Sequence, residues 1–123
     1  MDPQPNCPFC QIAAGEVPGV EWVVKRDYWP DAMAFYPLNP VVDGHVLVVP
    51  KVHTPDFASN PEVSAATMRR AAELMRWTTN PMNLITSRGR EATQSIFHLH
   101  FHLVPRAHND GLALPWYSGR SKH

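Results

Sequence analysis

The stretch Phe97-His98-Leu99-His100-Phe101-His102-Leu103-Val104 constrains this chain more than any other. Its strict alternation matches the two-residue period of a β-strand, so His98, His100 and His102 share one face while Leu99, Phe101 and Leu103 share the other. The apolar face requires a core to pack on. The pattern predicts a strand over residues 95–104. Same-face neighbours on a straight strand lie about 7 Å apart, so the three imidazoles span about 13 to 14 Å and cannot all bind one metal directly.

A solvated strand face would carry Thr, Lys, Glu and Ser, whereas a regular row of imidazoles points to metal binding or proton transfer. A His-x-His metal pair, as in metallohydrolases or cupin-like sites, is one reading, and it leaves His102 without a role.

The rest of the chain supplies what that strand needs. Trp22-Val23-Val24, Ala32-Met33-Ala34-Phe35-Tyr36, His45-Val46-Leu47-Val48-Val49 and Asn83-Leu84-Ile85-Thr86 are short β-prone runs. Asp43-Gly44 makes a tight turn into the third of them, and Pro50 ends it. Asn60-Pro61-Glu62 reads as N-cap, first helical residue and first-turn acid of a helix lasting to about Trp77. Met68, Ala71, Ala72 and Met75 fall on one side of it, and Arg69, Glu73 and Arg76 on the other. Residues 87–93 form a polar loop, and residues 1–8 are expected to fray except for any metal tether at Cys7. With 123 residues, no repeat and no long linker, the expectation is one α+β domain of about five antiparallel strands, one long helix and short helical segments.

Eleven basic residues balance eleven acidic ones, which removes the broad positive footprint of a duplex-nucleic-acid binder or a membrane-surface protein and leaves room for a local anion site. The longest apolar run is far too short to span a bilayer, and the polar, Pro-rich start does not read as a signal peptide. The expected compartment is therefore the reducing cytoplasm. There the pair Cys7 and Cys10 reads as a metal clip or a redox pair before a disulfide.

Residues 94–106, Gln94-Ser95-Ile96-Phe97-His98-Leu99-His100-Phe101-His102-Leu103-Val104-Pro105-Arg106, resemble the signature of the histidine triad (HIT) family, His-φ-His-φ-His-φ-φ with φ apolar. Residues 7–18, which begin Cys7-Pro8-Phe9-Cys10, resemble the N-terminal segment of bacterial members, and residues 44–53 resemble their central strand. Nearly the whole of residues 1–123 is covered in the right order, as one HIT domain.

The resemblance implies a HIT-like fold and a nucleotide hydrolase or transferase. It cleaves at the α-phosphate of a nucleoside phosphoramidate or dinucleoside polyphosphate, through a nucleotidyl-histidine on His100. It implies that His102 contacts the phosphate, that His45 hydrogen-bonds within the triad beside His98, and that Ser95 contacts phosphate and helps protonate the leaving group. Gln94 and Ser87 match the phosphate loop, and Phe9, Ile12 and Phe35 match the apolar nucleoside cleft. A structural zinc on Cys7, Cys10, His53 and His98 is implied as well, as a four-ligand site that is closed and therefore structural. No organic cofactor is expected. A homodimer is implied, with the C-terminal segment near Trp116 approaching the other subunit's site.

The chain also departs from the pattern. Pro37 stands where the family usually places the Asp or Asn that holds the ribose hydroxyls, and it offers no side-chain hydrogen bond. Asn39 could substitute only if its loop shifts. Ser87 replaces a common Asn or Gln, and Thr93 a usual Gly. Arg88 and Arg90 add two cations that could reach phosphates beyond the scissile one. An alternative to the hydrolase is therefore a catalytically weak nucleotide-binding HIT protein with altered nucleoside selectivity.

Overall fold

A computed structural model describes residues 3–114. Four antiparallel strands form one sheet: β1 (Ala32–Phe35), β2 (Val46–Pro50), β3 (Met82–Ile85) and β4 (Phe101–Pro105), in the order β1-β2-β4-β3. Strand β4 inserts between β2 and β3, with Leu47 opposite His102 on one side and Ile85 opposite His102 on the other.

The α+β class expected from the sequence is what the chain adopts, with four strands among the described residues rather than about five. The run at residues 22–24 makes only one isolated bridge, Trp22 to Phe35, supported by Val23 N–H to the Ala34 carbonyl (3.0 Å) and Tyr36 N–H to the Glu21 carbonyl (2.9 Å). The chain then turns at once, Tyr28 N–H closing on the Lys25 carbonyl at 2.8 Å. Trp22 to Val24 thus covers the outer edge of β1 without extending the sheet.

Strands β1 and β2 are buried on both faces, which is why they read as continuous apolar runs rather than as alternation. Ala32, Ala34, Val48, Phe101 and Leu103 face one side, where Ala71 and Leu74 of helix α2 (Pro61–Met75) complete a core with Trp29 and Leu99. Met33, Phe35, Leu47 and Val49 face the other side and pack against Cys7, Phe9 and Cys10 around the short helix α1 (Pro8–Ala13). The second face is the one on which His102 lies.

Helix α2 begins where Asn60 caps it, its side chain accepting the Val63 N–H at 3.4 Å, and Pro61 takes the first helical position. Its inward stripe is Ser64, Thr67, Ala71 and Leu74, with Met68 and Met75 partly buried beside it. Ala72 is exposed, against the expectation from its apolar character. The two polar core positions are tolerated because Ser64 Oγ donates to the Phe57 carbonyl (2.6 Å) and Thr67 Oγ1 to the Val63 carbonyl (2.8 Å).

The expected strand over residues 95–104 is shorter at its start: regular pairing begins only at Phe101. Upstream, Leu99 N–H donates to the Thr54 carbonyl at 2.7 Å, outside the sheet ladder. The N-terminal segment is also more ordered than expected, since Cys7 caps α1 and its own N–H bonds the Gln4 carbonyl. At the other end, Arg106 donates to Asp110 (2.8 Å), Asn83 Oδ1 (2.6 Å) and the Leu112 carbonyl (2.8 Å), tying residues 106–112 to the start of β3. Among the described residues, no helix is long and apolar enough to cross a membrane.

Candidate active site

Residues 98–100 leave the regular strand, yet the alternation of faces holds: Leu99, Phe101 and Leu103 lie in the core beneath α2, while His98, His100 and His102 lie on the side of Phe9 and Cys7. His98 turns into the protein and is wholly buried, whereas His100 and His102 stay half-buried with ring centroids 5.1 Å apart. His98 Nε2 donates to the Pro50 carbonyl at 2.8 Å, so its other nitrogen, Nδ1, carries the lone pair. That Nδ1 lies 3.2 Å from Cys7 Sγ and 3.6 Å from Cys10 Sγ. Pro50 has no N–H to offer the ladder, and its carbonyl goes to an imidazole instead.

The same accounting assigns the other rings. His100 Nδ1 donates to the His98 carbonyl at 2.8 Å, which leaves Nε2 unprotonated. His45 Nδ1 accepts the Val41 N–H at 3.2 Å, so its Nε2–H donates to His102 Nδ1 at 2.9 Å, and His102 carries its proton on Nε2. One backbone amide therefore sets the direction of a two-imidazole chain.

His45 reaches this place because the turn at Asp43-Gly44 delivers it immediately before β2. Gly44 has φ +85°, a backbone that disfavours side chains, and a Cβ there would meet Pro105 Cγ at 3.3 Å.

Burial holds these imidazoles below the usual histidine range. His45 and His100 are lowered by desolvation. His102 falls to about 4, first by desolvation and then by the like charges of His100 and His45. The cluster is neutral near pH 7, which keeps a lone pair on His100 Nε2. Phe9 stands edge-on to His100 (5.1 Å) and His98 (5.7 Å), and to Phe35 at 5.8 Å, closing the inner side of the cluster.

Cys7, Cys10, His53 and His98 place four ligand atoms within 4.8 Å of one another. His53 Nδ1 lies 3.3 Å from Cys10 Sγ. A tetrahedral zinc with bonds of about 2.0 to 2.3 Å spaces its ligand atoms by roughly 3.3 to 3.8 Å, so the nitrogen-to-sulfur distances suit that ion. The donor chemistry agrees: two thiols lie beside two imidazole nitrogens, and His98 Nδ1 turns its lone pair toward them. Burial pushes the Cys7 thiol up, and a bound cation is what would stabilise a thiolate there.

Other sequence-derived candidates are placed less directly. Ser95 is exposed on the segment that precedes His98. Gln94 is buried and spends its amide on the protein, donating to the Pro55 (2.7 Å) and Ile96 (3.1 Å) carbonyls and accepting the Gly89 N–H (2.9 Å). Its side chain shapes the 89–94 loop. Phe9 and Phe35 are core residues, and Ile12 packs beside them. Pro37 and Ser87 are half-buried, Asn39 is exposed, Arg88 pairs with Asp56 (3.7 Å), and the Arg90 guanidinium lies 5.9 Å from the Phe97 ring centre. Trp116 lies outside the described residues.

Two participants had no sequence signal: Val41, which acts through its backbone, and Thr86, whose hydroxyl donates to the His100 carbonyl at 2.8 Å.

The HIT domain family model matches residues 25–109. The chain belongs to the HIT family. The HIT relatives include the adenosine 5'-monophosphoramidase of Saccharomyces cerevisiae, 30% identical over 115 residues that cover 89% of this chain and 69% of that protein. A HIT family hydrolase from Clostridium thermocellum superposes with a TM-score of 0.75 at 27% identity, covering 90% of this chain and 99% of that one. A zinc-bound histidine triad protein from Mycobacterium smegmatis gives 0.73 at 28% identity, covering 89% and 81%. A HIT assignment and HIT fold thus agree with the signature read from residues 94–106.

Proposed function

We propose that this HIT protein hydrolyses nucleotides at the α-phosphate, acting on a nucleoside phosphoramidate or a dinucleoside polyphosphate through a nucleotidyl-histidine on His100. The observation that carries this reading is the 2.8 Å bond from His100 Nδ1 to the His98 carbonyl, which leaves Nε2 as an unprotonated nucleophile beside the His45 to His102 chain. The phosphoramidase named among the relatives and the hydrolase among the structural neighbours support the reaction class.

In the first step the Nε2 lone pair forms a nitrogen–phosphorus bond and the bond to the leaving group breaks, its electron pair departing with the leaving atom. Ser95 hands that atom a proton and regains one from water. In the second step the remaining hydroxyl bonds to phosphorus, and the nitrogen–phosphorus electrons return to His100. His102 Nε2–H donates to a phosphoryl oxygen as charge builds there, its orientation set by His45. Phe9, Ile12 and Phe35 back the nucleoside, while Gln94 and Ser87 shape the phosphate loop.

Cys7, Cys10, His53 and His98 would hold a zinc ion that supplies a structural cross-link, since four protein ligands close its coordination. His98 then belongs to that cross-link through Nδ1 and to the nucleophile through its carbonyl.

Incubating wild type and His100→Ala with adenosine phosphoramidate and diadenosine tetraphosphate tests the proposal. A covalent adenylyl adduct on the wild type by mass spectrometry is expected. His100→Ala is expected to lack it and to lose at least about a thousandfold in turnover. Wild-type hydrolysis without the adduct would remove the covalent route.

One observation favours a second reading, weak catalysis with altered nucleoside selectivity: Pro37 offers no side-chain hydrogen bond where the family pattern has the ribose-binding Asp or Asn, and Leu38 beside it is 95% exposed. Comparable rates on ribo- and 2'-deoxyribo-substrates would support it. A homodimer in a reducing cytoplasm completes the proposal, and analytical ultracentrifugation checks the dimer.

A further inference from the structure

The sheet stops supporting β4 just short of His100. Toward that end of the strand, the last pair made by β3 is Ile85 with His102, and the last made by β2 is Val48 with Phe101. His100 comes one residue before β4 begins, so its main chain lies outside both ladders. There Thr86, the residue that follows β3, donates its hydroxyl to the His100 carbonyl at 2.8 Å, an ordinary length for such a bond. We infer that Thr86 is a positioning residue for the nucleophile: its side chain holds the His100 main chain where the sheet no longer does. The inference rests on the proposed role of His100.

The register shows what the hydroxyl replaces. Alternate residues of β4 bond toward β3, and the Arg106 N–H to Pro81 carbonyl bond (2.8 Å) continues that set past Pro105. His100 belongs to the same set at the opposite end, and continued pairing would bring Ser87 N–H to its carbonyl. The chain instead leaves the sheet after Ile85 to form the loop over residues 87–94, and the Thr86 side chain takes the place of that rung. Its branched Cβ restricts χ1, which keeps the hydroxyl aimed.

The ring of His100 depends on this backbone. Its Nδ1 donates to the His98 carbonyl, and the same peptide unit gives its N–H, that of Leu99, to the Thr54 carbonyl at 2.7 Å. The segment is thus held before His100 by Thr54 and after it by Thr86. Removing the second hold lets His100 turn about the first, and a nucleophile displaced by about 1 Å can lose up to about a hundredfold in rate. Because the Thr86 proton goes to a main-chain carbonyl, the effect falls on the rate of bond formation and not on substrate binding.

The full-length protein as wild type, Thr86→Val and Thr86→Ser tests this with adenosine phosphoramidate, with thermal melts to show folding. Valine keeps the shape and loses the hydroxyl, whereas serine keeps the hydroxyl; Thr86→Ala replaces the valine variant if that does not fold. Adenylyl-adduct formation in a single turnover is expected to slow about tenfold in Thr86→Val, the rate equivalent of one neutral hydrogen bond. KM is expected to stay within about twofold, and Thr86→Ser to recover most of the rate. Histidine-selective 15N NMR is expected to show a protonated His100 Nδ1 in wild type and Thr86→Ser, and to show that signal broadened in Thr86→Val. Adduct formation in Thr86→Val at the wild-type rate, or a loss in Thr86→Ser as large as in Thr86→Val, would overturn the positioning role alone. A wild type that forms no adduct would overturn the role of His100 and the positioning role with it.

Discussion

Each imidazole of the cluster has one nitrogen committed to a partner, and this is what gives the other nitrogen a defined task. His45 is the clearest case, because its Nδ1 is held by the Val41 N–H and its Nε2–H is given to His102. His45→Leu removes that donor and frees the His102 tautomer. Turnover is expected to fall about a hundredfold with KM little changed, as read by steady-state kinetics. A pH effect follows from His102, which titrates near 4 in the fold against 6.5 in an ordinary histidine. A depressed folded pKa means that the unfolded chain binds the proton first. The contribution of neutral His102 is therefore fully present above about pH 6.5 and is lost as pH falls toward 4. Denaturant melts from pH 7 to pH 4 are expected to show stability falling with acidity, and a shallower fall in His102→Leu. The residue types of this cluster were legible as a motif, but their proton positions were not. The partners that set them are main-chain groups at residues 41, 50 and 98, and a backbone amide or carbonyl has no signature in a sequence. Thr86 escaped notice for a related reason: a threonine just past a strand is ordinary until its hydroxyl is seen to reach the His100 carbonyl.

At the scale of elements, β4 does two jobs that its alternation made visible in advance. Phe101 and Leu103 face α2 while His102 faces the site, so the core holds the strand that carries the chemistry. Phe101 is wholly buried, and Phe101→Ala is expected to cost about 3 to 5 kcal/mol in chemical denaturation, whereas Asn60→Ala, which removes only the α2 cap, costs about 1 kcal/mol. The alternation overstated the strand's length because period two describes side chains, while pairing depends on where the backbone bonds go. Leu99 N–H goes to Thr54, so the strand pattern continues through residues that are no longer strand. Helix α2 shows the converse error. Its ends were plain from Asn60-Pro61 and from the break after Trp77, but its buried face includes Ser64 and Thr67, and an apolar count assigned Ala72 in their place. Hydroxyls that bond a carbonyl at Phe57 or Val63 can enter a core, and composition does not record that satisfaction.

At the scale of the whole molecule, the longest-range hydrogen bond among the described residues joins Cys7 to His98, 91 residues apart in the chain. Two ligands come from the start of α1, one from the segment after β2 and one from the residue whose carbonyl orients His100. A zinc ion there would fasten the N-terminal segment to the nucleophile's own support. Purified protein is expected to hold about one zinc per chain by elemental analysis, and Cys10→Ser to hold little. Ligand linkage at a hundredfold excess over Kd is worth about 2.7 kcal/mol, so chelation is expected to lower Tm by roughly 10 °C. The time course separates the two possible roles of the ion. A closed structural site predicts that a chelator abolishes activity no faster than it loosens the N-terminal segment, followed by limited proteolysis before α1. A metal that touches substrate predicts loss of activity while that segment is still protected. Because His98 meets the cysteines through Nδ1 and His100 through its carbonyl, the structural case carries a further requirement. Re-adding zinc to chelated protein should restore protease resistance and the rate of adduct formation together, with a single dependence on zinc concentration. Recovery of the adduct at zinc concentrations that leave the segment cleavable would show that the tether does not position the nucleophile.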